Sequence, residues 1–160
     1  MRRYVVVDTN VLVSGLLTRD PTSPLAVIVD GMLSGRFPLL LSSRLVAEYR
    51  EVLLRPRIQR LHGLAVAEVD ELLTEIIVMG SWRDPPAVAG DANVLAPAVA
   101  SAPDPAAPDP GDDHLWELLR SADDAILVTG DGLLIERPPS FSAVMTPRAF
   151  VVLLADPAVG

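Results

Sequence analysis

Three short, unbroken apolar runs constrain this chain more than any other feature: residues 4–7 (YVVV), 38–41 (PLLL) and 125–128 (AILV). Runs of that length without polar alternation suit strands covered on both faces, as in parallel sheets. The stretches between them carry helical spacing. Residues 11–17 start a helix after the first run, and Ser23-Pro24 places a cap and a first-turn proline ahead of a helix that reaches Ser34 and closes at Gly35. Ser42 or Ser43 caps the next, in which Leu45, Val46, Tyr49, Val52 and Leu53 share one face. Further helices are predicted at 66–79, from about Asp112, and over MTPRAFVVLLA, with Thr146 as cap and Pro147 at the first position. Strands alternating with helices predict an α/β fold of three layers, a central parallel sheet flanked by helices, whose ligands bind beyond the carboxyl ends of the strands. A single domain over residues 1–155 accounts for the length.

One segment breaks the pattern. Residues 81–111 hold seven of the chain's 15 prolines and show no periodic apolar spacing, which excludes a regular helix or a central strand. Residues 84–110 therefore read as a mobile Pro/Ala-rich insertion, long for a loop inside a compact domain.

Composition narrows the chemistry. There are no cysteines and two histidines, His62 and His114, so thiolate zinc sites, three-histidine sites and thiol nucleophiles are excluded, and any metal would be held by oxygen. All 13 basic residues are arginine. Without lysine there is no P-loop nucleotide site, and folds that phosphorylate an aspartate after their first strand also rely on a lysine further along. The net charge of −8 disfavours non-specific binding to nucleic acid through a basic surface. A local stripe remains at Arg44, Arg50, Arg55, Arg57 and Arg60, opposed only by Glu48 and Glu51, and Arg44, Arg50 and Arg55 are candidate RNA contacts. No apolar run approaches the roughly 18 residues of a membrane span, and the N-terminus lacks a signal peptide's pattern; a cytoplasmic protein is expected.

Asp8 directly ends the first strand, where Ser or Gly would allow the apolar residues around it to be buried equally well. Asp131 follows the strand AILV by a short turn, Glu48 lies in the second turn of the helix after strand two, and Asp112 stands at the start of the helix leading back into the sheet. Asp8 and Asp131 point to the same rim, and Glu48 and Asp112 could lie near it. Each has a local explanation: Asp8 or Asp112 as a helix cap, Glu48 paired with Arg44 at i−4, Asp131 as turn chemistry between two glycines. His114 reads as a surface histidine, and Trp82 and Trp116 read as packing.

In order, VVVDTNVLVSGL, SSRLVAEYREVL, DPGDDHLWEL and LVTGDGLL resemble the acidic motifs of the PIN domain, particularly the branch labelled as toxins of toxin–antitoxin pairs. The resemblance runs from Tyr4 to about Phe150. It implies a metal-dependent ribonuclease with Asp8, Glu48, Asp112 and Asp131 as catalytic and metal-binding acids and Asn10 and Thr129 as polar residues that position them. The insertion leaves Asp109, Asp112 and Asp113 competing for the third position, and spacing to Leu115 favours Asp112. Carboxylate oxygens suit Mg²⁺ or Mn²⁺, and such an ion suits phosphodiester hydrolysis. The implied partners are an RNA substrate and a cognate antitoxin protein, and the 50% hydrophobic composition points to a homodimer or another covered surface. The alternative is a non-catalytic RNA- or protein-binding module on the same fold. Four converging carboxylates would store repulsion, so neutralising one is expected to raise metal-free stability.

A protease should nick the folded protein first between residues 84 and 107, and shortening that stretch should cost little stability, because closure entropy changes slowly with loop length. Limited proteolysis with mass spectrometry, and melts of a shortened chain, check this.

Overall fold

The computed structural model of the chain describes residues 3–84 and 106–156. Five short strands, β1 (Val5–Val7), β2 (Leu39–Leu41), β3 (Gly80–Trp82), β4 (Ile126–Val128) and β5 (Ala143–Met145), pair throughout in parallel in the order β3-β2-β1-β4-β5. Around them lie α1 (Thr9–Leu17), α2 (Pro24–Ser34), α3 (Ser43–Leu53), α4 (Pro56–His62), α5 (Val66–Met79), α6 (Asp113–Arg120), α7 (Gly132–Glu136) and α8 (Pro147–Ala155), with a 3-10 turn at Pro110–Asp112. Every residue of β1, β2 and β4 is buried, which is why these three strands read as unbroken apolar runs. The sheet turns back on itself at β1: β2 and β3 extend to one side and the chain returns to place β4 on the other. Clefts that bind ligands form at such switch points, past the carboxyl ends of the strands.

The caps agree with the sequence. Ser23, Ser42 and Thr146 each accept a backbone N–H three residues on, and Gly35 ends α2 with φ +66°, a conformation glycine adopts without a side-chain clash. Four elements go beyond the sequence reading. The strand β3 (GSW) and the partly exposed β5 (AVM) are edge strands, too short to show a period, and α7 is a single five-residue helix. The helix α4 begins at Pro56 inside the arginine stripe, its sequence dominated by charge rather than an apolar face.

Most of the expected insertion, residues 85–105, lies outside the described residues. Its flanks are tied down. The Asp84 carboxylate accepts from the Ser43 N–H and hydroxyl, both at 2.7 Å, and Ala107 is buried with its N–H donated to Asp113 Oδ1 at 2.9 Å. Trp116 is buried in the core, whereas Trp82 on the edge strand is 38% exposed. No helix among the described residues is long and apolar enough to cross a membrane.

Where α1 crosses α2, Gly15 is pressed against the second helix: a Cβ built there would sit 2.7 Å from the Leu25 carbonyl oxygen. Gly15→Ala must push the two helices apart. It should cost about 1–3 kcal/mol, seen as a lower urea midpoint at unchanged slope.

Candidate active site

The turn from β1 into α1 is built on one carboxylate. Asp8 is the N-cap of α1 and only 7% exposed. Its Oδ1 accepts from the Thr9 N–H at 2.8 Å, and its Oδ2 accepts from the Thr129 hydroxyl at 2.7 Å and the Asn10 amide at 3.3 Å. The Thr129 oxygen in turn accepts from the Asp131 N–H at 3.0 Å, and Asn10 Oδ1 from the Gly130 N–H at 3.4 Å. Asn10 and Thr129 thus clamp Asp8 to the loop after β4, the loop that carries Asp131. Asp131 itself caps α7 through the Leu133 N–H at 2.9 Å.

Glu48 and Asp112 approach from α3 and from the start of α6. Burial is the main reason the Asp8 carboxyl is pushed above its usual range; the Thr129 and Thr9 hydrogen bonds oppose this, and the Glu48 and Asp131 charges add to it. Asp112 is raised to about 6, first by burial and then by Asp8, Asp109, Asp131 and Glu48. Tyr49, fully buried one residue beyond Glu48, donates its hydroxyl to the Val7 carbonyl, and its pKa is pushed well above 10 by burial and by the charges of Asp8 and Glu48. The four predicted acids therefore share one electrostatic neighbourhood at the switch point.

Local bonding separates the three candidates for the third acid. Asp109 Oδ1 accepts from the Gly111 N–H, and Asp113 Oδ1 from the Ala107 N–H, each at 2.9 Å. Asp112 makes no such cap bond, and the charges of Asp8, Asp131 and Glu48 add to burial in raising its pKa.

The family model described as PIN domain matches residues 4–132, four-fifths of the chain. The chain belongs to the PIN domain family. Members of this family are generally nucleases that use divalent metal ions. No curated protein and no solved structure matches the chain.

In this PIN domain three buried side-chain polar atoms lack a hydrogen-bond partner among the described residues: Thr9 Oγ1, Glu48 Oε2 and His114 Nδ1. All three belong to residues at the acid rim or beside it. Buried polar groups are normally satisfied, so their concentration here suits a site that takes a polar or ionic ligand. The donor set is oxygen-only and mutually repulsive, which fits a hard divalent cation. Among the described residues, however, no three His, Cys, Asp or Glu side chains stand close enough to share one ion. Mg²⁺ does not require three, since it keeps several waters and is commonly held by one or two carboxylates. A cavity of about 470 Å³ opens instead at the amino ends of the strands, lined by Val5, Phe37, Ile126 and Phe150, and shares no residue with the acids.

The other predicted positions are placed differently. Arg50 is paired with Asp70 on α5 at 2.8 Å, Arg55 with Glu51 at 3.5 Å, and Arg44 is exposed. The charges that act on Asp8 and Asp112 are all carboxylates, so these arginines are not part of the acid neighbourhood. His114 overturns its sequence reading. It is buried, not on the surface, and its Nε2 lies 3.0 Å from Glu48 Oε2, so the side chain that faces this oxygen is the histidine. The sequence held a faint signal, a histidine between Asp113 and the apolar stripe Leu115, Trp116, Leu118 and Leu119.

A carboxyl whose folded pKa is raised contributes stability below its unfolded pKa that is lost as pH rises through the folded value. For Asp112 that window runs from about 3.8 to about 6, and the raised Asp8 acts with the same sign. In EDTA the unfolding free energy should therefore fall between pH 4 and pH 7, less steeply in Asp112→Asn, which should exceed the wild type at pH 7. Asp8→Asn should gain less or lose, because Thr9, Asn10 and Thr129 all bond the Asp8 carboxylate. Urea melts across pH check both.

Proposed function

We propose that this PIN domain is a Mg²⁺- or Mn²⁺-dependent ribonuclease whose acid site is Asp8, Glu48, Asp112 and Asp131, with one or two of these carboxylates on the ion directly and the others acting through its waters. The observation that carries the reading is electrostatic: Glu48 and Asp131 act on Asp8, and all three act on Asp112, which is pushed to about 6 by burial and by these charges. Such an arrangement is a poor stability device and a good cation site.

Hydrolysis would form a bond from a water oxygen to phosphorus and break the bond from phosphorus to the leaving oxygen, which departs with the electron pair and takes up a proton. A bound divalent ion supplies an activated water and neutralises charge growing on the phosphate. The chain's part is placement. Thr9, Asn10 and Thr129 hold Asp8 still, Tyr49 ties α3 to the end of β1, and the Asp131 turn is bonded to the same threonine. A role as the toxin of a toxin–antitoxin pair, with RNA as substrate and an antitoxin as partner, follows from the toxin-like order of the motifs. The exposed apolar side chains Leu61 (64%), Val78 (72%) and Val152 (68%) support a covered surface, in a homodimer or against such a partner.

That no three-ligand grouping stands among the described residues favours a second reading, an RNA- or protein-binding module that does not cut. Cleavage decides between them. Purified protein should cut RNA with Mn²⁺ or Mg²⁺ and not with EDTA, and Asp8→Asn, Asp112→Asn and Asp131→Asn should each reduce cleavage at least a hundredfold while still folding, with Asp113→Asn far milder. Metal-independent cutting, or cutting undiminished in Asp8→Asn, overturns the assignment; RNA binding without turnover establishes the module.

A further inference from the structure

His114 is buried on the first turn of α6 at a cost that an apolar residue would avoid, since its Nδ1 has no partner. The other nitrogen, Nε2, faces Glu48 Oε2 at 3.0 Å, within ion-pair distance although out of line for a regular hydrogen bond. An Nε2–H facing the carboxylate suits this approach, since two facing lone pairs would repel. Glu48 lies on α3 with its side chain 37% exposed, and among the described residues no other side chain pairs with it. A glutamate on an open helix face otherwise has several torsions free. The contact also joins the helix that follows β2 to the helix that begins beside Asp112. One imidazole therefore sets the direction of one acid and its place relative to another.

We propose that His114 is a positioning residue of the acid site: through Nε2 it holds the Glu48 carboxylate in the direction that lets Glu48 and Asp112 act on the same divalent ion. The proposal rests on the reading of Asp8, Glu48, Asp112 and Asp131 as the ion-binding acids. A polar group beside a metal ligand that fixes its orientation commonly changes metal affinity ten- to a hundredfold when removed.

Calorimetric titration of Mn²⁺ into the purified full chain tests it, with melts in EDTA run alongside. His114→Gln places an amide N–H near the Nε2 position, whereas His114→Asn ends one bond short and His114→Leu fills the space without a donor. His114→Leu and His114→Asn should weaken Mn²⁺ binding at least tenfold, and His114→Gln should stay within about threefold of wild type. Glu48→Gln should weaken binding to a similar degree, and adding His114→Leu to it should cause no further loss. His114→Leu should melt in EDTA no lower than wild type. If His114→Leu does not fold, the Gln and Asn pair carries the test by itself. Wild-type affinity in His114→Leu or His114→Asn, with Asp8→Asn impaired, overturns the proposal and leaves the acid site standing. Affinity that falls equally in the Gln and Asn variants, in step with their melting temperatures, shows a packing role and also overturns it. Absence of Mn²⁺ binding by the wild type removes the acid-site reading and the proposal together.

Discussion

Everything at the rim depends on keeping a carboxylate out of water at the end of the central strand. Asp8 is 7% exposed, and burial is the largest influence on its pKa. The cost of that burial is offset by three donors, each from a different level of the structure: the first N–H of its own helix, a side chain two residues on, and a hydroxyl 121 residues away on the neighbouring strand's loop. The last of these makes the site a consequence of the sheet order. With β4 beside β1, Thr129 can reach Asp8 and orient the Asp131 turn with the same oxygen. A strand order that separated β1 from β4 would leave Asp8 buried without its main partner and Asp131 elsewhere.

This explains why so much of the fold was legible. The three runs that the sequence displays most clearly are the three strands buried on both faces, and they define the switch point. Helix boundaries were legible where a side chain or glycine marks them chemically, as at Ser23, Ser42, Gly35 and Thr146. What was not legible has no local signature. The strand β3 owes its existence to the exposed edge of β2, where it pairs Leu39 to Gly80 and Leu41 to Trp82, and nothing in the residues Gly-Ser-Trp announces this. The helix α4 is held partly through His62, whose Nε2 donates to the Leu53 carbonyl at 2.8 Å while its Nδ1 accepts from the Leu64 N–H at 2.9 Å. Such bonds close only in three dimensions.

The site divides the same way. The motif order points to the four acids, with spacing to Leu115 favouring Asp112 over the rival aspartates at 109 and 113. Local bonding distinguishes them: Asp109 and Asp113 each accept a backbone N–H near the start of α6, while Asp112 has no cap bond and is acted on by Asp8, Asp109, Asp131 and Glu48. Asp8 and Asp131 each cap a helix and still act by their charge on Asp112. A cap uses only part of a carboxylate's acceptor capacity. His114 was misjudged because a histidine beside an aspartate looks solvent-facing, and its position only follows once α6 is docked with Leu115, Trp116, Leu118 and Leu119 inward.

The charge of −8 becomes informative once the arginines are located. An RNA strand approaching this rim under the proposed function meets carboxylates, while Arg50 is already neutralised by Asp70 and Arg55 by Glu51. Exposed pairs of this kind are weak, so the guanidiniums could exchange partners, but each exchange releases a carboxylate that repels the same phosphate. The affinity that most RNA-binding surfaces draw from a basic patch is therefore reduced here. A divalent ion would change the sign of the field at the switch point. Attraction for a phosphodiester would then be concentrated at the place of reaction, and binding and catalysis would share one electrostatic requirement.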